Sequence, residues 1–147
     1  MEIPAEVQLR ATIRAGSVYY FPEFFDRIPH FFIVMNIDPL TDTVIYLLCA
    51  SSRIQKVYDR NTGSLTETLV EISPSDYEGF NSQSIVDCNE IHTKSLGDLI
   101  GKLEEGRLTM KPEMTESLLA KLRLGVFRSK RVPERIKGQI CPEEEDA

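Results

Sequence analysis

Tryptophan is absent from this 147-residue chain, and histidine and cysteine are nearly so, with two and three copies. The cysteines, Cys49, Cys88 and Cys141, are odd in number and widely spaced, with no CxxC pair. That pattern excludes a disulfide framework and a zinc ribbon, and it reads as reduced thiols. Cys49 and Cys88 sit in apolar contexts, where a free thiol behaves as a small hydrophobe. Two histidines without a close Cys or His partner give no metal-ligand set, so no metal and no cofactor are expected. No apolar run reaches the roughly 20 residues of a membrane span. The start, Met1-Glu2-Ile3-Pro4, lacks the basic residues and apolar stretch of a secretory signal. A cytoplasmic protein without membrane contact is the expectation. P-loop, GxGxxG, HExxH and GxSxG patterns are also missing, which removes the common nucleotide, zinc-protease and serine-hydrolase signatures.

Positive charge is in deficit. Seventeen Lys and Arg against 23 Asp and Glu leave a net charge of −6, which argues against non-specific nucleic-acid binding over the whole surface. The charge is uneven. Glu143 to Asp146 form an acidic run, read as a disordered tail over residues 138–147 that follows one globular domain over 1–137. Just before it, Arg128, Lys130, Arg131, Arg135 and Lys137 form a basic stretch, read as a solvated helix end and linker, or as a phosphate-contacting patch. Hydrophobic residues at 41% and charged residues at 27% fit a globular domain of ordinary size, long enough to bury a core.

Strand-like segments dominate the first two thirds. They are predicted over residues 16–21, 31–36, 43–50, 68–72 and 84–90, from aromatic and β-branched content bounded by turn residues. The third is nearly all apolar and is expected to be buried on both faces. Asp38-Pro39-Leu40-Thr41-Asp42 is turn chemistry that joins the second and third as an antiparallel hairpin. Residues 54–58 read as an irregular strand, and 107–110 as a short strand or extended link. Ser73-Pro74 reads as the start of a short helix ending near Phe80. Later the period changes. Leu96, Leu99, Ile100 and Leu103 fall at helical spacing behind Ser95, with Asp98 completing a carboxylate capping box. Leu118, Leu119, Leu122 and Val126 mark an amphipathic helix over 115–126. Strands first and a closing helix, without regular strand-helix alternation, predict an α+β, mainly β fold: a small, partly open SH3-like barrel with short helices and a C-terminal helix.

The segment from Asp26 to Asn36 carries most of the functional information. Asp26, Arg27 and His30 form a polar cluster that runs directly into the apolar stretch from Phe31 to Met35. Functional side chains commonly sit on loops held by a rigid scaffold, and here a histidine stands at the mouth of a sheet. A structural, hydrogen-bonded histidine at a strand start is the plainer alternative. The third strand ends in Ser51-Ser52-Arg53, two hydroxyls and a guanidinium that also suit a simple strand-ending turn. Asp26 is placed either to orient His30 or to pair with an arginine. His92 ranks below His30. Tyr19-Tyr20-Phe21, Phe24-Phe25 and Phe31-Phe32 offer base-stacking faces, although such clusters are more often core, and Phe24 and Phe25 are the ones expected at the surface.

In its order of elements the chain resembles the MazF/PemK/Kid family of toxin endoribonucleases. The resemblance runs from Gly16 to Val126. It rests on the Gly16-Ser17-Val18 strand start, the Arg27-to-Val34 loop and strand, Cys49-Ala50-Ser51-Ser52, and Ser84-Ile85-Val86-Asp87 leading on to Leu96. It implies metal-independent cleavage of single-stranded RNA by attack of a ribose 2′-hydroxyl, a homodimer, and an antitoxin protein that occupies the RNA groove. His30, Arg27, Ser51, Ser52 and Arg53 are the implied catalytic set: His30 as base or acid, Arg27 or Arg53 on the phosphorane-like charge, and a serine on the phosphate. Ile28 holds the place before Pro29 where the family has an arginine, and Cys88 replaces the glutamine after the strand aspartate. A catalytically silent barrel that binds protein or nucleic acid is the alternative reading.

Overall fold

The computed structural model describes residues 2–24 and 27–141. Five helices and seven strands follow in the order α1 (Ala5–Thr12), β1 (Val18–Pro22), β2 (Pro29–Val34), β3 (Ile45–Ser51), α2 (Ile54–Arg60), β4 (Leu69–Ile72), β5 (Ser84–Asp87), β6 (His92–Lys94), α3 (Leu96–Glu104), β7 (Thr109–Lys111), α4 (Glu116–Arg128) and α5 (Glu134–Ile140). All strand pairs are antiparallel. The sheet runs β4-β5-β3-β2-β1-β7, with β6 also paired to β3. It does not close, since β4 and β7 remain at opposite ends of the path. The α+β architecture built on an antiparallel sheet is the one the sequence predicts.

Both faces of the sheet are covered, and period-two alternation explains how. On one face Val18, Ile33, Tyr46, Leu48 and Ala50 pack beneath Leu118, Leu119, Leu122 and Val126 of α4 and Ile140 of α5. On the other, Tyr19, Phe21, Phe32, Val34, Ile45 and Leu47 meet Leu9 of α1 and Leu99 of α3. Successive strand side chains point to opposite faces, so a strand covered on both sides has no polar position to give away. This is why β3 is an almost unbroken apolar run. The 2–3 hairpin forms in the expected sense, with Phe32 opposite Cys49 and Val34 opposite Leu47.

The helix behind Ser95 forms with its capping box intact: Ser95 Oγ accepts from the Asp98 N–H at 3.0 Å, and the Asp98 carboxylate accepts from the Ser95 N–H at 3.5 Å. Thr115 caps α4 in the same way, accepting from the Leu118 N–H. Loss of either cap costs about 1 kcal/mol.

Other expectations are corrected. Residues 54–60 are a helix rather than an irregular strand. Only Val57 of α2 is buried, so the segment has no apolar stripe to announce its period. Ser73 does accept from the Asp76 N–H, but the chain continues as turns to Phe80. Tyr77 and Phe80 both drop into the core and pack edge to face at 4.7 Å, an anchoring that wins over local helix propensity. The fifth strand stops at Asp87, not at residue 90. β2 begins at Pro29, so His30 lies on the strand end and not in the preceding loop. The folded body continues beyond residue 137, because α5 runs to a fully buried Ile140. The acidic run Glu143–Asp146, together with Phe25 and Asp26, lies outside the described residues.

Candidate functional site

A groove of about 660 Å³ opens beside the ends of β2 and β3. His30, Ser51, Ser52 and Arg53 all line it. Four of the five predicted site residues are thereby brought together from two strand ends and the first turn after them. Arg27 is not among them. Its backbone takes the left-handed conformation (φ 58°), uncommon for a side chain other than glycine, and its N–H donates to the Phe24 carbonyl at 2.9 Å. It lines a separate depression with Pro22, Glu23, Phe24 and Arg107. Ile28, 49% exposed, lines the main groove instead.

His30 Nδ1 lies 2.9 Å from the Ile28 carbonyl oxygen. A carbonyl can only accept, so Nδ1 carries the hydrogen and Nε2 is left for another partner. The ring packs edge-on against Phe24, with centroids 5.1 Å apart. Ser51 Oγ accepts from the Arg53 N–H at 3.0 Å. This bond is the strand-ending turn that the plainer reading anticipates, and it leaves the hydroxyl hydrogen free to donate elsewhere.

One wall of the groove was recognised in the sequence only at Arg53. Because residues 54–60 are helical, Arg53, Lys56 and Arg60 recur at spacings of three and four and face the groove together. Arg60 is held from below. Its Nη2 lies 3.5 Å from the buried carboxylate of Asp87 and 3.8 Å from Glu90. Asp87 also accepts from Asn61 Nδ2 at 3.0 Å and from the Asn89 N–H at 3.0 Å. Asn89 in turn donates to Thr68 Oγ1 and accepts from Ser129 Oγ. This buried network ties α2 to β5 and to the end of α4. The opposite wall is aromatic: Tyr20 and Phe31 pack with centroids 4.5 Å apart and planes tilted by 44°, and Phe24 is 39% exposed. Phe24 therefore stands at the surface as expected, whereas Tyr19, Phe21 and Phe32 are core.

His92 enters the same groove from β6. Its ring packs edge-on against Phe24 at 5.8 Å and Phe32 at 5.7 Å. Burial lowers its pKa below the ordinary histidine range. Glu90, Glu23 and Asp87 oppose the shift, and Arg60 reinforces it. A folded-state pKa below the unfolded one makes the chain lose stability as pH falls from about 6.5, because the unfolded state takes up the proton first. The loss ends once His92 is protonated in the folded state as well. Urea midpoints measured from pH 7.5 to 5 should fall more steeply for the wild type than for His92→Gln.

Cys49 also lines the groove, but burial, helped by Glu90, pushes its thiol up to about 12. It is a poor thiolate nucleophile at neutral pH. Cys88 is fully buried in the core, and its thiol is raised further. No group of three or more His, Cys, Asp or Glu side chains arranged to hold a metal occurs among the described residues. None of the described helices is long and apolar enough to cross a membrane. Three residues of the basic stretch near the end are tied internally. Arg131 donates to Asn61 Oδ1 at 3.1 Å, Lys137 donates to the Phe127 carbonyl at 2.9 Å, and Arg128 lies 3.9 Å from Glu67.

No family model matches the chain. No curated protein matches it either. Among solved structures, an endoribonuclease in complex with its cognate antitoxin, from a mycobacterial species, superposes on 83% of this chain and 98% of its own, with a TM-score of 0.52 at 14% identity. The likeness lies in the backbone, and it agrees with the fold that the order of sequence elements implied. The chain has the fold of a MazF/PemK-type toxin endoribonuclease.

Proposed function

We propose that this protein is a toxin-type endoribonuclease that cuts single-stranded RNA without a metal, through attack of a ribose 2′-hydroxyl on the adjacent phosphate. The observation that carries the reading is the groove itself. A basic wall of Arg53, Lys56 and Arg60 faces an aromatic wall of Tyr20, Phe24 and Phe31, and His30 lines the groove with them. Single-stranded nucleic acids are held by this combination, with cations on the backbone and aromatic faces under the bases. The cations also answer the overall charge of −6: binding is local to the groove rather than spread over the surface.

Catalysis needs three things beyond binding. Protons must leave the 2′-hydroxyl and reach the departing oxygen, and His30 is in place for proton transfer. Charge that builds on the phosphoryl oxygens must be met by fixed cations, and Arg53 and Arg60 lie on the groove wall. Phosphate oxygens must be oriented, for which Ser51 and Ser52 offer hydroxyls. Arg27, outside the groove, has no part in this step and instead offers a cation beside Arg107 for RNA leaving the site. An antitoxin-type protein that covers the groove and a homodimer complete the proposal.

The test is incubation of purified protein with mixed-sequence RNA in EDTA, with product ends identified. Cleavage that leaves 2′,3′-cyclic phosphates is the expected result. A folded protein that binds RNA without cutting it would favour the silent barrel, a reading supported by Ile28 standing in the groove where the family motif has arginine. Binding should weaken with salt. The double variant Arg53→Gln, Lys56→Gln should flatten the slope of log affinity against log salt by about 1.4, at roughly 0.7 per phosphate contact on a single strand. An unchanged slope would remove α2 from the RNA path.

A further inference from the structure

The chain holds only two histidines, 62 positions apart in sequence, yet both line one groove and both pack edge-on against the same Phe24 ring. The register shows how they come together. β2 and β6 each pair with β3, one on either side. Phe32 lies opposite Cys49 and His92 opposite Leu47. Directly paired residues share a face, as do residues two apart on one strand. His30, Phe32, Cys49, Leu47 and His92 therefore project to the same side of the sheet. Neither ring is used up structurally. Among the described residues His30 commits only Nδ1, to the Ile28 carbonyl. Among the described residues, the His92 ring nitrogens have aromatic neighbours but no hydrogen-bond partner.

We propose that His92 is a second catalytic residue: it takes the proton from the ribose 2′-hydroxyl while His30, through Nε2–H, delivers a proton to the departing 5′-oxygen. The inference rests on the ribonuclease reading above and assigns its proton path. As the 2′-oxygen–phosphorus bond forms, the proton goes to the His92 ring. As the phosphorus–5′-oxygen bond breaks, the His30 proton goes to the 5′-oxygen. The products are a 2′,3′-cyclic phosphate and a free 5′-hydroxyl, and no oxidant or other co-reactant is needed. Attacking and leaving oxygens stand on opposite sides of phosphorus in an in-line displacement, so one group cannot serve both, and two imidazoles reaching one phosphate from strands on either side of β3 can.

The division of labour follows from surroundings. His92 is half-buried against two phenyl rings, which favours the neutral form a base requires. Glu90, Glu23 and Asp87 pull the other way and Arg60 adds to burial, so the groups that face His92 leave it neutral on balance. His30 gives its Nδ1 hydrogen to a carbonyl, which leaves Nε2 as the nitrogen that meets the departing oxygen.

Leaving-group chemistry tests the assignment. RNA and a mixture of the four nucleoside 3′-(4-nitrophenyl phosphates) should be compared for the wild type, His30→Gln and His92→Gln, with melting curves to confirm folding. Nitrophenolate leaves without a proton. His30→Gln should therefore lose about 10²–10⁴-fold on RNA and recover most of the rate on the nitrophenyl esters, whereas His92→Gln should lose on both. A folded His92→Gln within threefold of wild type on RNA would overturn the proposal and leave the ribonuclease reading standing. Rescue of His92→Gln by nitrophenolate would overturn the assignment of the base. No cleavage by the wild type would instead sink the ribonuclease reading. If His92→Gln fails to fold, the wild-type imidazole resonances decide. Only two are expected, and a mixed-sequence 2′-deoxy oligonucleotide should shift both; an unmoved His92 signal would overturn the proposal.

Discussion

RNA cleavage by His30→Gln should fall about 10²–10⁴-fold, the range expected for loss of a positioned proton-transfer group, while its melting temperature stays close to that of the wild type. Both halves follow from where the residue sits. The His30 ring is partly exposed at the end of β2 and, among the described residues, its polar contact is one bond, to the neighbouring Ile28 carbonyl. Glutamine offers an N–H that can satisfy that carbonyl, so the strand end keeps its turn. It cannot exchange a proton near neutral pH. Retained RNA binding with lost cutting would separate the chemical role from a positioning one. A fall in stability as large as that of a core substitution would identify His30 as structural, which is the plainer sequence reading. A variant that still cleaves within a few-fold of wild type would move the chemistry elsewhere in the groove.

Part of this site was legible in the sequence, and the physical reason is plain. Strand ends are marked by composition: the apolar runs that form β2 and β3 stop abruptly at polar residues, and those residues must emerge at the rim of the sheet. His30 and Ser51-Ser52-Arg53 were found in this way. Lys56 and Arg60 were not, because residues 54–58 read as a strand and Arg60 as part of the loop after it. On a strand, residues 53, 56 and 60 do not share a face. On a helix they do. With Val57 as its one buried residue, α2 offers no apolar period to separate the two. Its position is held instead by the buried Asn61–Asp87–Asn89 network, whose members are 26 and 28 residues apart in sequence. His92 was visible but without a partner, because its neighbours Phe24 and Phe32 reach it only through the pairing of β6 with β3. The elements that were well placed carry their own signal: the capped helix behind Ser95, the periodic stripe of α4, and the both-faces-buried run of β3. α1 and α5 each bury a single side chain, Leu9 and Ile140, and were missed for the same reason as α2.

A second large effect is expected far from the groove, and it reverses what helix propensity alone predicts. Gly125 lies inside α4, where replacement of glycine by alanine ordinarily stabilises a helix by about 1 kcal/mol. Here it should destabilise the protein by about 1–3 kcal/mol, the cost of overpacking a core. A methyl group at residue 125 would lie 2.6 Å from Cys88 Sγ, 3.0 Å from Cys88 Cβ and 3.0 Å from the Glu67 carbonyl oxygen. None of these can swing away. Cys88 is fully buried beneath α4, and the Glu67 oxygen belongs to the backbone of the tight turn over Thr66–Thr68. Relief would require α4 to lift from the sheet, opening the packing of Leu122 and Val126 on the core face. Gly101 supplies the internal control. It lies within α3 with nothing inside 4 Å of the added methyl, so Gly101→Ala should raise stability by about 0.5–1 kcal/mol. Urea denaturation of the two variants should therefore move the midpoint in opposite directions. Because α4 also anchors Ser129, whose hydroxyl donates to Asn89 in the network beneath α2, Gly125→Ala should weaken RNA binding along with stability. If it stabilises the protein as Gly101→Ala does, the close seating of α4 on Cys88 and on the Glu67 backbone is wrong, and the support it gives the basic wall fails with it.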